Sequence, residues 1–476
     1  VERRGESDQL GHVAELIGLA SAFDKTEVPA ADLQRWLDAA TAKGLPHLRL
    51  PVPDEPPTLS LPPPAAPAPL ARAISLGIDA EWLLGGESGA QVFVFEMLRE
   101  MARRPVVARI VMLSDTGGVP RALEGLAKVS GMTWTAALAG RAPIVDILHR
   151  PYQPGANVDY RRYRKVGRCV ALTILDFIAY DIPEYHESAW AWRRYRQGFD
   201  ENVSLADGLF AISHDVGSRL QRQFGDRVAP VRSVLLGTDH LGAAGDTGAS
   251  EHGAGVTALD GTRFLLVLGN DFEHKNRDFA VKVFTELCDQ GYDGRLVLAG
   301  FHVDLGSSYG HELIGADRHL DRIVRMGPVS TADKAWLLQN ADVVLYPTSC
   351  EGFGLVPFEA AALGTPTAFV GFGPLAETMP AVAACAGWQV RPFADHVFRL
   401  IAAPETQVQQ ILAAGASLTW VAHVDRILSG YQELLSNEPA GRASRRALPG
   451  PAVRAARALD SLRYRVTNKL RRRARR

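Results

Sequence analysis

Two carboxylates and one ammonium group stand out by type and spacing. Glu351 and Glu359 lie eight residues apart in YPTSCEGFGLVPFEAAALGTP, and Lys275 lies in FLLVLGNDFEHKNRDFAVKVFTEL. Gly352 and Gly354 let the backbone approach a ligand closely, and Pro357 is expected to begin a helix. On that reading Glu351 sits on a loop and Glu359 in the first helical turn. The helix amino end and the loop amides then offer donors to hydroxyl or phosphate oxygens. Lys275, shortly after a strand and just before an amphipathic helix, can set a compact positive charge against a departing diphosphate. Each residue alone has a plainer explanation: Glu359 complementing a helix dipole, Glu351 solvated on its loop, Lys275 a surface residue. All three at one sheet edge describe a pocket for an anionic ligand bearing hydroxyls.

Further candidates follow other strands. Asp176 directly follows VALTIL, and His149 and Tyr152 follow a strand in ILHRPYQP. Gly85, Gly86 and Gly89 in GGESGAQVFVFEMLRE separate a strand from a helix without forming the GxGxxG fingerprint. Ser213 and the Ser330–Asp333 pair read as helix caps, and Met326 and Gly327 end a strand. No DxD, HExxH, P-loop, GxSxG or clustered Cys/His is present, so no metal and no bound cofactor is expected.

The elements that must position these groups are short apolar runs alternating with amphipathic segments. AISLGIDA, ARIVMLS, IVDIL, CVALTIL, GLFAIS and VRSVLL suit buried strands; residues 91–103 and 216–224 suit helices. FLLVLG, RLVLAG, RIVRMG, DVVLYP and PTAFV repeat the pattern, each followed by a helical segment. The expected fold class is therefore α/β, with two tandem Rossmann-like, doubly wound parallel sheets and ligands beyond the carboxyl ends of the strands. The expected division is an N-terminal helical extension over 1–50, a Pro-rich linker over 51–70, and a first domain over 71–241. A Gly/Ala-rich hinge over 242–255, a second domain over 256–435 and a basic amphipathic tail over 436–476 complete it.

The 476 residues exceed one ordinary domain core, and 47% hydrophobic with 22% charged residues describes a globular chain. No apolar run reaches the ~20 residues needed to span a bilayer, and VERRGESDQL lacks a signal-peptide core. Cys169, Cys288, Cys350 and Cys385 have neither disulfide nor zinc spacing. A cytoplasmic location is expected. Val1 in place of Met suggests a piece of a longer protein. Residues 442–476 hold twelve Arg and one Lys against Asp460, a net +12, which leaves −13 for the rest of a chain at −1 overall. Val453, Leu459, Leu462, Val466 and Leu470 share one helical face there. Residues 453–476 therefore read equally as a helix adhering to an anionic membrane surface, on the inner face of the cytoplasmic membrane, or as a solvated end. Nucleic acid is not expected as a partner, because the body is acidic.

EGFGLVPFE resembles the E-x7-E signature of the retaining GT-B glycosyltransferases called family 4, or group 1, and the order of segments from about 74 to 435 is similar too. The resemblance implies a GT-B fold with two domains facing a central cleft. It implies transfer of a hexose or deoxyhexose from a nucleoside diphosphate sugar, without metal, to a hydroxyl of a glycan or lipid-linked acceptor. It places Glu351 by the transferred sugar, the backbone of Phe353, Gly354 and Leu355 on the sugar hydroxyls, and Glu359 on the ribose. Lys275 falls by the diphosphate with Gly269 and Asn270, and the loop containing Gly86 near the donor phosphates. The chain departs from the family twice: Asn270 and its neighbours lack the usual arginine, leaving Arg277 as a substitute, and Leu175 replaces the histidine that precedes Asp176. His149 is the histidine that could enter the cleft instead. A donor-binding scaffold and a GT-B nucleotide-sugar epimerase are the competing readings.

Overall fold

The computed structural model describes residues 72–80, 89–113, 133–135, 144–155, 160–240, 253–316 and 318–436. The expected N-terminal helix, the Pro-rich linker, Gly85, Gly86, residues 242–252 of the hinge and the basic tail lie outside them.

Twelve strands are described, all parallel within two sheets. The first sheet contains β1 (Ile74–Asp79), β2 (Val107–Leu113), β3 (Thr133–Thr135), β4 (Val145–Arg150), β5 (Gly167–Ile174), β6 (Gly208–Ala211) and β7 (Val231–Ser233) in the order 3-2-1-4-5-6-7. The second contains β8 (Phe264–Leu268), β9 (Arg295–Ala299), β10 (Ile323–Gly327), β11 (Val343–Tyr346) and β12 (Thr367–Phe369) in the order 10-9-8-11-12. Central strands such as ISLGID and FLLVL are buried nearly throughout because helices cover both faces. The edge strands β7 and β10 are half-buried along their whole length. The polar members of β4 are buried with partners: Arg150 pairs with Asp79, and Asp146 accepts from Arg72 and from the Ser75 amide and hydroxyl.

The helices used below are α1 (Gly89–Ala102), α2 (Tyr160–Val166), α3 (Ala189–Leu205), α4 (His214–Phe224), α5 (Arg277–Asp289), α6 (Thr331–Asn340), α7 (Leu355–Ala362), α8 (Gly373–Thr378), α9 (Val390–Ala402), α10 (Pro404–Gly415) and α11 (Trp420–Ser436). Ser213 and Ser330 cap α4 and α6 as expected, their hydroxyls accepting from the amides of Val216 and Asp333. Between β9 and β10 the expected helical segment is replaced by turns and a single 3-10 turn, Leu320–Arg322. Although α11 follows the second sheet in the chain, it returns to the first. Gly430 lies against Phe210, Gly208 against Leu434, and Trp420 and His423 against Phe93 of α1. The apolar stretch Pro404–Ser436 is thus two packed helices separated by a turn at 416–419.

In each sheet the strand order reverses between a central pair, β1 with β4 and β8 with β11. Loops leaving the two strands on either side of such a reversal diverge and leave a crevice at the carboxyl edge. In the second sheet those loops carry Lys275 and Glu351. The floor beside them depends on Gly300, just after β9. Its φ is +149°, its amide donates to Gly327 O at 2.7 Å, and an added Cβ would lie 1.9 Å from Gly269 O. Gly300→Ala is expected to destabilise the chain by about 3 kcal/mol. Urea unfolding with an unchanged slope would register this; a loss within experimental error would contradict the close approach.

Candidate functional site

Lys275 ends a 3-10 turn after β8, and Glu351 lies on the loop after β11, 76 residues on, yet Lys275 Nζ is 2.6 Å from Glu351 Oε1. Adjacent parallel strands at the reversal bring their loops side by side, and hydrogen bonds tie the loops together. Ser349 N donates to His274 O at 2.8 Å, Thr348 Oγ1 to the same carbonyl at 3.1 Å, and Asn276 Nδ2 to Pro347 O at 2.8 Å. Asn276 holds φ +50°, a left-handed conformation that asparagine tolerates better than most residues.

Tyr346, the last residue of β11, is buried with its ring 5.4 Å from Lys275 Nζ and its hydroxyl bonded to Glu351. Burial would raise the Glu351 carboxyl. Lys275, by charge and hydrogen bond, together with Tyr346 and His274, brings it below the usual glutamate value. Burial and the glutamate charge push the Tyr346 hydroxyl well up. A sequence signal for Tyr346 existed in its place at a strand's carboxyl end.

The first sheet closes the other side. An added Cβ on Gly352 would lie 2.0 Å from Leu175 O and 3.2 Å from Ile212 Cδ1, so only glycine fits there. Asp176 follows Leu175 and accepts from Ile178 N at 2.9 Å, just ahead of the single turn Ile178–Asp181. Gln153 Nε2 donates to Asp176 Oδ1 at 2.8 Å, while Gln153 Oε1 accepts from Leu175 N at 2.9 Å. Burial raises the Asp176 carboxyl to about 6. The Glu351 charge adds to this, against the Ile178 amide, Gln153 and Lys275. Tyr185 Oη meets His274 Nδ1 at 2.5 Å, a second contact between the sheets' loops. Burial, then the Lys275 charge, depress His274 to about 4.

Glu359 lies one turn further on than its expected place. Gly354, at φ +92°, caps α7, so Leu355 rather than Pro357 begins the helix and Glu359 falls in its second turn. Pro357 is tolerated there because the first amides of a helix need no partner within it. Glu359 is 2% exposed, with Lys334 Nζ of α6 at 2.7 Å and His240 Nε2 at 3.0 Å. Burial would raise this carboxyl, but the Lys334 charge and the His240 hydrogen bond bring it down to about 2. Neither Lys334 nor His240 carried a signal beyond an ordinary charged or polar residue, since each meets Glu359 only through the packing of separate elements.

Two expectations, those for His149 and Arg277, meet different surroundings. His149 is fully buried, Nδ1 2.6 Å from Tyr431 Oη and Nε2 2.7 Å from Thr173 Oγ1; burial, with His423 adding, depresses it to about 3. Both ring nitrogens are thus engaged in the core, and the side chain does not enter the cleft. Arg277 does not stand in for the missing arginine, because its buried guanidinium turns to Gly269 O and to Glu312, 3.8 Å away. The Phe353 side chain lies in the core beside Phe358, which leaves only its backbone for the loop. Gly269, at φ +134°, and Asn270 follow β8 as expected. Among the described residues no group of three His, Cys, Asp or Glu is placed to hold a metal. A depression of about 190 Å³ between Leu259–Arg263 and Trp336–Asp342 lies at the opposite, amino edge of the second sheet.

Residues 254–402 match the family model described as Glycosyl transferases group 1. A D-inositol 3-phosphate glycosyltransferase of Nocardiopsis dassonvillei is 27% identical over 261 residues, 50% of this chain and 58% of that protein. The corresponding Mycobacterium bovis enzyme is 35% identical over 132 residues, 26% of this chain and 28% of its own. The chain thus spans less than two thirds of either relative. Among solved structures, a sucrose-phosphate synthase from Thermosynechococcus elongatus superposes with TM-score 0.56 at 16% identity, covering 77% of this chain and 99% of its own. Anabaena HepE in complex with UDP-glucose gives TM-score 0.56 at 15% identity, covering 75% and 100%. These likenesses establish the two-domain α/β GT-B fold.

The folded Glu359 carboxyl lies below its ordinary 4.5, so its ionised form stabilises the chain above that pH, and the contribution fades as pH falls toward 2. Lys334→Met leaves a buried carboxylate short of one partner and is expected to cost about 3 kcal/mol at pH 7. Denaturant titrations from neutral to acid pH should show the variant and wild type converging below 4.5. A constant gap across that range would contradict the pairing.

Proposed function

We propose that this chain moves a hexose or deoxyhexose from a nucleoside diphosphate sugar to a hydroxyl of a glycan or lipid-linked acceptor, with retention of configuration. The observation that carries the reading is the Lys275–Glu351 contact of 2.6 Å at the strand-order reversal, with Asp176 of the first sheet facing both. The match of 254–402 to group 1 glycosyltransferases supports it.

In this proposal the diphosphate draws the Lys275 ammonium and releases part of its hold on Glu351. Positive charge by the leaving group lowers the barrier most where water is excluded. Glu351 and the amides of Phe353, Gly354 and Leu355, at the amino end of α7, receive the sugar hydroxyls. Glu359 receives the ribose hydroxyls, held ionised by Lys334 and His240. Asp176, raised to about 6, faces the sugar from the other domain and shares its charge with Glu351. Retention follows the family resemblance: the departing phosphate takes the acceptor's proton as the sugar passes through an oxocarbenium-like state, and the protein supplies position and field. The cytoplasmic side of a membrane, reached through the basic tail, is the proposed setting.

One observation favours a second reading, donor binding without turnover: Leu175 is an apolar, buried residue where the family carries a histidine. A panel of nucleotide sugars followed by calorimetry and by product analysis separates the readings. Released nucleoside diphosphate supports transfer, isomerised sugar an epimerase, and binding alone a scaffold. On the cognate donor, Glu351→Ala and Lys275→Ala are each expected to lower turnover by more than about tenfold. Wild-type rates in both would remove the assignment.

A further inference from the structure

Beyond the donor pocket, a strip of polar residues crosses the carboxyl edge of the first sheet. It runs from His240, through Trp420, His423 and Arg426 on α11, to His214 at the start of α4. His240 and Trp420 rings lie 6.2 Å apart, and Trp420 and His423 rings 5.4 Å apart. Arg426 is close enough to His423 and His214 for its charge to act on both imidazoles. α11 runs alongside β6, with Leu434 by Gly208 and Gly430 by Phe210, so positions 420, 423 and 426 reach the edge where ligands bind.

Each of these five side chains leaves one buried polar atom without a hydrogen-bond partner: His240 Nδ1, Trp420 Nε1, His423 Nε2, Arg426 Nη1 and His214 Nε2. His423 is fully buried, Trp420 is 5% exposed and the His240 side chain 6%. A folded chain rarely leaves buried polar atoms unpaired, and five in one continuous strip mark a place built for a polar occupant. The neighbouring carboxylates already have partners. Asp425 meets Arg104 at 3.0 Å, and Glu377 accepts the amides of His214 and Asp215 at 2.8 Å each. Asp239 accepts from Trp420 N at 2.9 Å, and Glu359 is held by Lys334 and His240. The donors of the strip are the Arg426 guanidinium and the Trp420 indole N–H, a pair suited to an oxyanion; His423 donates through Nδ1 to the Val234 and Leu235 carbonyls and His240 through Nε2 to Glu359, so these two rings, when neutral, turn acceptor nitrogens to the strip.

We propose that Arg426, Trp420 and His214 bind an oxyanion, phosphate or carboxylate, carried by the acceptor, which seats the acceptor on the first domain beside the sugar pocket. The assignment rests on the transfer reading for the word acceptor and on the strip alone for the oxyanion. The test uses the full chain saturated with UDP, so that Lys275 is occupied, and titrates inorganic phosphate and, separately, acetate by calorimetry and thermal melting. Wild type is expected to bind at least one of the two and to melt higher in its presence. Arg426→Met is expected to weaken that binding by about tenfold and Trp420→Phe by about threefold, with UDP affinity unchanged. Arg426→Met is also expected to melt no lower than wild type without the anion, since it removes a half-buried cation whose Nη1 has no hydrogen-bond partner, while losing the anion-dependent rise. Binding of phosphate alone, acetate alone or both supports the site and names its chemistry. Binding of neither, or equal binding in Arg426→Met, overturns it. Failure of UDP to bind counts against the transfer reading only, and the anion titration is then read in its absence.

Discussion

The ion pair between Lys275 and Glu351 is the constraint on which the rest of the site depends. Both charges lie largely out of water, where an ammonium or carboxylate alone would be expensive, so each must have the other or a ligand in its place. Their meeting follows from the strand order, since β8 and β11 are neighbours across the reversal and their outgoing loops form opposite lips of one crevice. The His274–Ser349 and Asn276–Pro347 hydrogen bonds hold the lips at a fixed spacing, and Tyr346 supplies a floor and a hydroxyl beneath the pair. Gly352 brings the other domain in, because without a side chain there the Leu175 carbonyl can sit against the same loop.

Three carboxyls around this crevice have been set apart by their surroundings. Glu351 is lowered by the Lys275 ammonium, which in the proposed reading a diphosphate draws away, tying the glutamate to occupancy of the pocket. Glu359 is pinned near 2 by two partners from different elements, Lys334 of α6 and His240 ahead of the link to the second domain. Asp176, raised to about 6 by burial and by Glu351, is the one whose proton is loosely placed near neutral pH. Neighbouring carboxyls driven apart in this way, two ionised and one poised between forms, are the pattern found where groups are set up for different tasks in one site.

Much of this was legible in the chain. The apolar runs marked eleven of the twelve strands, and a parallel, doubly wound arrangement puts the residues after those runs at the ligand edge; β3, only three residues long, gave no such run. Glu351 and Lys275 could be chosen because each lies shortly after a strand, beside glycine or a helix start, in segments that resemble a known family. Lys334, His240 and Asn276 could not, because each acts through a contact between elements far apart in sequence. His149 looked like a cleft residue because it ends a strand, yet its alternation places it under Tyr431 of α11, whose return to the first sheet no local pattern announces. The start of α7 was misplaced by two residues because proline was given precedence over a left-handed glycine as the helix signal.

The central claim is that one ligand engages both lips of the crevice after β8 and β11 at once. Hydrogen–deuterium exchange with and without saturating UDP addresses it most directly. The account predicts slowed exchange in peptides covering 269–277 and 349–360 together, and no change around 259–263 and 336–342 at the opposite edge of the sheet. Protection at the opposite edge alone, or at neither lip, would contradict it.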